Sequence, residues 1–181
     1  MKNKSKIFNL IGIFLFNIFI LTEPIFAKEV KFKAKEIITY EEGNLIVGQE
    51  NTEVKIENEL EIFADKFTYN KKKEFVVAEG SVLVKDLLND IQIKSDKITY
   101  DKIKNEFVSL DKTFFNIKKK YKIFSEDVVF NLNDNVIFSK KKTDVKDNLL
   151  NDIKLSSFKY FHDTEILKGK NIELLDNKQN K

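Results

Sequence analysis

The sequence predicts an all-β protein, a β-jelly roll or folded antiparallel sheet built from about five double-strand repeats of roughly 30 residues. Three observations predict this fold class. A short pattern recurs at near-constant spacing, apolar and polar residues alternate within each copy, and clusters of turn-forming residues separate the alternating runs. Alternation with a period of two is typical of a half-buried strand, and regular turn signals indicate strands joined as hairpins.

The repeat is marked by a small residue that follows a strand-like run. These residues are separated by 30, 31 and 30 positions: Ala34, Ala64, Ser95 and Ser125. Leu155 begins a degenerate fifth copy. An aromatic side chain closes each of the later copies: Tyr69, Tyr100, Phe130 and Tyr160. A fixed period of this length indicates that each copy is one supersecondary unit.

Inside each copy the apolar face changes phase by one residue. Ile93 and Ser95 share one face of the predicted strand, and after Asp96-Lys97 that face continues at Ile98. The same shift occurs in two other copies, at Asp65-Lys66 and at Glu126-Asp127. A strand that changes phase needs a bulge or a corner at that point. The sequence therefore predicts strands that bend, as in a jelly roll or folded sheet, rather than a flat sheet.

Hairpin turns are predicted between the alternating runs. Polar segments occur at 70–73, 101–105, 131–135 and 162–164. Second strand-like runs follow at 75–84, 106–117 and 166–175. Each copy is thus a pair of antiparallel strands, which predicts roughly ten strands in all.

The N-terminus has the layout of a secretory signal peptide. Lys2, Lys4 and Lys6 precede a mostly apolar run from Ile7 to Leu21, and small Ala27 stands just before Lys28. We expect a signal peptide over 1–27, with an uncleaved membrane anchor as the alternative, a β-domain over 28–176 and a polar tail over 177–181. Either alternative predicts export of the domain.

Charge argues against a nucleic-acid partner. The chain has 32 basic and 29 acidic residues, and three of the former and one of the latter lie in the first 27 positions. The remaining 29 basic and 28 acidic residues are almost balanced. A protein that binds nucleic acid should keep a strong positive excess.

No catalytic or metal-binding constellation is visible in the sequence. The chain has no cysteine, and its single histidine, His162, lies beside Asp163 in a predicted turn, where a solvated role is expected. No Ser-His-Asp set, phosphate-binding loop or dinucleotide motif is present. We therefore expect no enzymatic activity, no cofactor and no metal site.

One stretch resembles a known family. The run A-D-K-F-T-Y-N-K-K-K-E-F-V-V-A-E-G-S-V-L-V at 64–84 resembles the OstA-like repeat of lipopolysaccharide transport proteins, and 95–101 repeats its first half. The family includes LptA, LptC and the periplasmic N-terminal domain of LptD, the organic solvent tolerance protein. The segment 41–48 and the degenerate later copies look most like the LptD domain. The sequence departs from the pattern at 110–112, where Leu-Asp-Lys replaces the Glu-Gly-Ser of 79–81. No outer-membrane barrel segments follow, so a shortened LptD-like protein and a stand-alone bridge are both consistent with the resemblance.

The resemblance implies lipopolysaccharide transport and assembly at the outer membrane by a periplasmic domain. It implies that lipid A acyl chains lie in an apolar groove, lined by in-phase residues: Ile62, Phe67, Tyr69, Val77, Val82, Val84, Ile91, Ile93, Ile98, Tyr100, Phe107, Ile123, Val128 and Phe130. It also implies head-to-tail docking with like transport proteins through edge strands at Val30–Tyr40 and Lys170–Leu175. The alternative is a structural or adhesive periplasmic β-repeat protein with a filled core.

Overall fold

The computed structural model describes residues 30–57 and 59–175. The predicted signal peptide and polar tail lie outside these residues. The described residues form one antiparallel sheet of fifteen strands. They are β1 (Val30–Lys33), β2 (Glu36–Tyr40), β3 (Leu45–Ile56), β4 (Leu60–Asn70), β5 (Phe75–Asp86), β6 (Ile91–Asp101), β7 (Glu106–Ile117), β8 (Tyr121–Glu126), β9 (Val129–Asn131), β10 (Val136–Ser139), β11 (Thr143–Asp147), β12 (Asp152–Leu155), β13 (Ser157–Phe161), β14 (Ile166–Lys170) and β15 (Glu173–Leu175). A 3-10 turn at Glu41–Gly43 precedes β3.

The fifteen strands form ten arms. Five arms, β3 to β7, run unbroken through the fold, whereas the other five are divided into pairs: β1/β2, β8/β9, β10/β11, β12/β13 and β14/β15. The first arms of successive copies begin at residues 30, 60, 91, 121 and 152, so the predicted repeat is the hairpin itself. The all-β class and the folded antiparallel sheet are confirmed. The predicted edge strands were wrong in their bounds, because Val30–Tyr40 is interrupted after Lys33 and Lys170 ends β14.

The sheet folds along a line that crosses every arm, and we call this line the corner. On one side of the corner is half-sheet A. It contains β1, the parts of β3 to β7 that lie on the same side as β1, and then β8, β11, β12 and β15. On the other side, half-sheet B contains β2, the remaining parts of β3 to β7, then β9, β10, β13 and β14. Every pairing is with a neighbouring arm, so a twisted sheet folded on itself encloses the core.

The corner lies where the sequence predicts a phase change. The β4–β5 pairing passes from Phe63 opposite Leu83 to Lys66 opposite Glu79, and β6–β7 shifts in the same way after Ser95. A bulge bends a strand and increases its twist. Gly80 has a φ of +77°, and a Cβ at this position would collide with the side chain of Asp65, so glycine is required there.

Buried hydroxyls line the corner on its inner side. The Thr52 hydroxyl donates to the Ala64 carbonyl at 2.7 Å, and the Ser139 hydroxyl donates to the Glu126 carbonyl at 2.6 Å. The hydroxyls of Ser125 and Thr143 are 2.8 Å apart. Bulges interrupt the backbone ladder, and a buried carbonyl without a partner is costly. These buried serine and threonine hydroxyls therefore complete the hydrogen bonding of the bend.

The free ends of the half-sheets meet through a small polar cluster. Glu165, in the β13–β14 turn, accepts hydrogen bonds from the Nζ atoms of Lys118 at 2.9 Å and Lys120 at 3.1 Å, in the β7–β8 turn. His162 Nε2 lies 3.3 Å from the carbonyl oxygen of Asn89. We call these contacts the Glu165 cluster. They close the fold opposite the corner.

Candidate functional site

Thirteen of the fourteen predicted lining residues point into the space between the half-sheets, where they are buried. They come from both sides of the corner and from all of the copies between β4 and β9. Phe67, Phe107 and Phe130 are among the largest side chains that are fully buried. The sequence pattern therefore identified the apolar interior, although burial alone does not identify a ligand site.

Val77 was placed on the wrong face. It is half-buried on the outer side of β5, and its neighbour Val76 points inward. The physical reason is the corner. Between the pairs Phe63–Leu83 and Lys66–Glu79, β5 contains three residues and β4 contains two. The inward-facing positions of β5 therefore keep the same alternation across the corner, whereas those of β4 shift by one residue. The left-handed backbone of Gly80 and Ser81 accommodates the additional residue.

The interior is packed rather than open. Phe32 stacks on Phe67 with ring centroids 4.8 Å apart, and Tyr100 stacks on Phe107 at 4.5 Å. The gap among Ile93, Phe107 and their neighbours has no room for a water molecule. The predicted groove is thus a filled core in this structure, and an acyl chain could enter only if the half-sheets moved apart.

The half-sheets are offset relative to each other. Phe32 on β1 packs against Phe67 and Tyr69 of β4, which is the third strand of half-sheet B. At the other end, the β7–β8 turn meets the turn before β14, which is the last strand of half-sheet B. Half-sheet A continues beyond this point through β11, β12 and β15. The offset leaves part of each half-sheet without an opposing partner.

Apolar side chains are exposed at both ends of the row of arms. At the last arm, Ile172 and Leu174 are 62% and 60% exposed. At the first arm, Ile37 is 48% exposed. Sequence analysis placed edge strands here but missed these side chains, because their alternation is the same as that of buried strands. Exposed apolar residues next to unpaired strand edges are typical of surfaces that add a further strand.

The buried phenol groups of the interior are uncharged. Burial raises the pKa of Tyr100 to about 12, and nearby carboxylates contribute in the same direction. Its hydroxyl donates to Asn105 Oδ1 at 2.9 Å. Burial also raises the pKa of Tyr160 to about 12, and its hydroxyl has no hydrogen-bond partner among the described residues. An interior with neutral phenols and apolar side chains suits an uncharged, apolar ligand.

The described residues hold no group of three His, Asp or Glu side chains arranged to bind a metal ion. His162 is half-buried in a turn, as part of the Glu165 cluster, and its ring centroid lies 6.4 Å from that of Tyr160. Within the part of the chain that is described, no helix has the length and apolar character required to span a membrane.

Comparisons with known proteins find a likeness among solved structures only. No protein-family model matches the chain, and no curated protein matches it. A solved structure does: LptH from Pseudomonas aeruginosa, the LptA-homologous periplasmic component of the lipopolysaccharide transport device. The match has 10% sequence identity and a TM-score of 0.48, and it covers 82% of this chain and 94% of that chain.

Proposed function

We propose that this chain is a non-enzymatic periplasmic domain for lipopolysaccharide transport, which holds acyl chains between its two half-sheets. The observation that carries the proposal is the apolar interior, which extends along consecutive repeats towards two unpaired edges. The resemblance of residues 64–84 to the OstA-like repeat supplies the ligand class. Export by an N-terminal signal and likeness to the N-terminal domain of LptD belong to the same proposal.

The free energy of exposing an acyl chain to water explains why a lipid carrier needs an apolar interior. Burial of one methylene stabilises by about 0.8 kcal/mol, so exposure of a twelve-carbon acyl chain to water costs on the order of 10 kcal/mol. A lipid with several such chains needs continuous apolar contact on its way through water. The half-sheets are joined covalently at the corner, but opposite the corner they meet through side chains, including the partly exposed Glu165 cluster. Opening at that side would expose the interior without breaking the backbone ladders.

The offset ends suggest how neighbouring domains dock. The uncovered part of half-sheet A carries Ile172 and Leu174, and the first arm presents an unpaired edge with Ile37. Addition of the first arm of one domain to the last arm of another would pair both edges and cover these side chains. Such a contact is heterologous, so it extends into a row. We propose like transport domains as the partners at both edges.

The packed core favours a second candidate, a structural or adhesive β-repeat protein. Thirteen predicted lining residues belong to one packed cluster, and the gap among Ile93, Phe107 and Phe130 has no room for a water molecule. A β-domain of this size needs that buried surface for stability even without a ligand. The two candidates differ in one property, which is whether an acyl chain ever enters between the half-sheets.

Two phenylalanines allow a matched test of this property. Phe115 on β7 points into the interior and is buried, whereas Phe63 on β4 points outward. A photoreactive phenylalanine analogue at position 115 should crosslink to lipopolysaccharide in cells, and the same analogue at 63 should not. Crosslinked species are detected by blotting for both protein and lipopolysaccharide. The analogue resembles phenylalanine in shape, so both variants retain an aromatic ring.

Crosslinking at position 115 and at a second interior position, 67, would support transport. Absence of lipid crosslinks at both positions, with ordinary levels of folded protein, would favour the structural β-repeat protein. Equal crosslinking at 63 and 115 would also contradict the proposal, because it would indicate adsorption of lipid to the surface.

A further inference from the structure

A second concave surface lies on the outer face of half-sheet A, on the opposite side of the sheet from the interior. It is a cleft of about 950 Å³ beside the corner. Its floor is a single cross-strand row in which each residue lies directly opposite the next: Leu83, Lys94, Phe114, Phe124 and Asp144. The row crosses five strands, so it is about 19 Å long at the usual spacing of roughly 4.8 Å. The volume is at the upper end of the range for ligand sites.

Two aromatic rings form the centre of the floor. The ring centroids of Phe114 and Phe124 are 4.8 Å apart, with an angle of 44° between the planes. Phe124 is 51% exposed, although it lies in the middle of a strand on a charged face. An aromatic pair that faces solvent offers a flat apolar platform to a ligand.

Charged groups of both signs surround the platform. Lys94, Lys112 and Lys142 form no ion pair with any described residue, nor do Asp96, Glu126 and Asp144. Lys141, in the same wall, pairs with Asp127 at 3.2 Å. Three unpaired ammonium groups and three unpaired carboxylates leave the cleft close to neutral. This balance is unsuited to a strong polyanion such as a nucleic acid.

We propose that this cleft binds an oligosaccharide. Sugar rings present apolar C–H faces that stack on aromatic rings, and their hydroxyls both donate to carboxylates and accept from ammonium groups. A platform of two phenylalanines between unpaired groups of both kinds matches that chemistry. The floor extends across five strands, so it offers space for a chain of linked sugars rather than a single sugar. The sugars could belong to a glycolipid or to a free polysaccharide.

The test uses the purified chain and three probes: the lipid-free oligosaccharide from deacylated lipopolysaccharide, maltohexaose, and intact lipopolysaccharide. Affinities are measured by calorimetry with wild type and Phe124→Ala. Loss of one aromatic contact should weaken binding of the oligosaccharide roughly tenfold, which corresponds to about 1.4 kcal/mol. The matched control is Phe63→Ala. Phe63 lies on the same outer face, opposite Leu83, but outside the cleft.

A second pair of variants tests the charged wall. Lys112→Gln combined with Lys142→Gln should weaken binding of the acidic oligosaccharide more than binding of maltohexaose. Lys72→Gln combined with Lys140→Gln serves as the charge-matched control, because both lysines are exposed but lie outside the cleft. Amide NMR of the wild type provides a readout that requires no variant, with shifts expected at Ser81, Lys112 and Lys142.

The proposal is supported if either lipid-free glycan binds and if this binding is weakened by Phe124→Ala but not by Phe63→Ala. This result also indicates that a free glycan suffices for binding. Binding of intact lipopolysaccharide only, also weakened by Phe124→Ala, supports a lipid-linked source. The proposal is overturned if no probe shifts the cleft amides, or if Phe63→Ala and Phe124→Ala have equal effects. These outcomes are independent of acyl binding, since crosslinking at position 115 reports on the other face of the sheet.

Discussion

Adjacent valines on β5 show how finely the fold discriminates between its two faces. Val76 is buried between the half-sheets, whereas Val77 lies half-buried outside. Truncation of Val76 to alanine removes two buried methyl groups and leaves a cavity, so we expect a loss of about 2 kcal/mol in the free energy of unfolding. Val77→Ala should cost at most about 1 kcal/mol. Urea denaturation of the two variants measures both values. A larger loss for Val77→Ala would mean that β5 has the opposite phase, and equal losses would contradict the difference in burial between the two valines.

These residues also show which features of the fold could be predicted from the sequence and which could not. Alternation of apolar and polar residues located thirteen of the predicted interior positions, because burial on one face of a strand imposes a period of two. The phase of β5 depended on one additional residue at the corner, and alternation within a single strand contains no information about its partner. The cleft around Phe124 was missed for a related reason. Its residues are neighbours across five strands and are far apart in sequence.

At the scale of the strands, the corner depends on hydroxyl groups. Thr52 is buried, and its hydroxyl donates to the carbonyl of Ala64 on the adjacent arm. Thr52→Val keeps the shape of the side chain and leaves that carbonyl without its partner, which should cost about 1–3 kcal/mol. The control is Thr39→Val on exposed β2, which should change stability by no more than about 0.5 kcal/mol. Denaturant titration compares them, and an unaffected Thr52→Val protein would show that the corner does not need this bond.

The spacing of the small residues was visible in the sequence and correctly located every bend between Ala64 and Ser125. Their chemical role was not visible, because alanine and serine occupy equivalent positions in the repeat. In the copy with Ala64, the hydroxyl comes from Thr52 on the preceding arm, whereas Ser125 supplies its own and pairs with Thr143. The division of ten predicted strands into fifteen follows from the same bends, which interrupt the ladder in the less regular arms.

At the scale of the whole molecule, the Glu165 cluster links the two half-sheets. Hydrogen bonds from Lys118 and Lys120 lower the pKa of Glu165 to about 2, from an ordinary value of 4.5. A carboxyl whose pKa is lower in the folded state stabilises the fold above its ordinary pKa. That contribution is lost as the pH falls from about 4.5 towards about 2. Its size is small, because the group is solvated.

We therefore expect Glu165→Gln to reduce the acid sensitivity of the fold. The free energy of unfolding, measured by urea denaturation at several pH values, should fall less steeply below pH 4.5 in this variant than in the wild type. Glu173→Gln is the control, since Glu173 is exposed on the last strand. An unchanged pH profile in Glu165→Gln would show that the cluster does not hold the half-sheets together.

Each of the three internal hairpins pairs on both sides with another hairpin of almost the same length and bend. Excision of a central unit, such as 91–120, would bring β5 beside β8 and leave the two outermost arms as they are. A gene for this fold can thus grow or shrink by tandem duplication or loss without redesign of its termini. Chain length would then evolve in steps of about thirty residues, with each step altering the distance that one molecule spans.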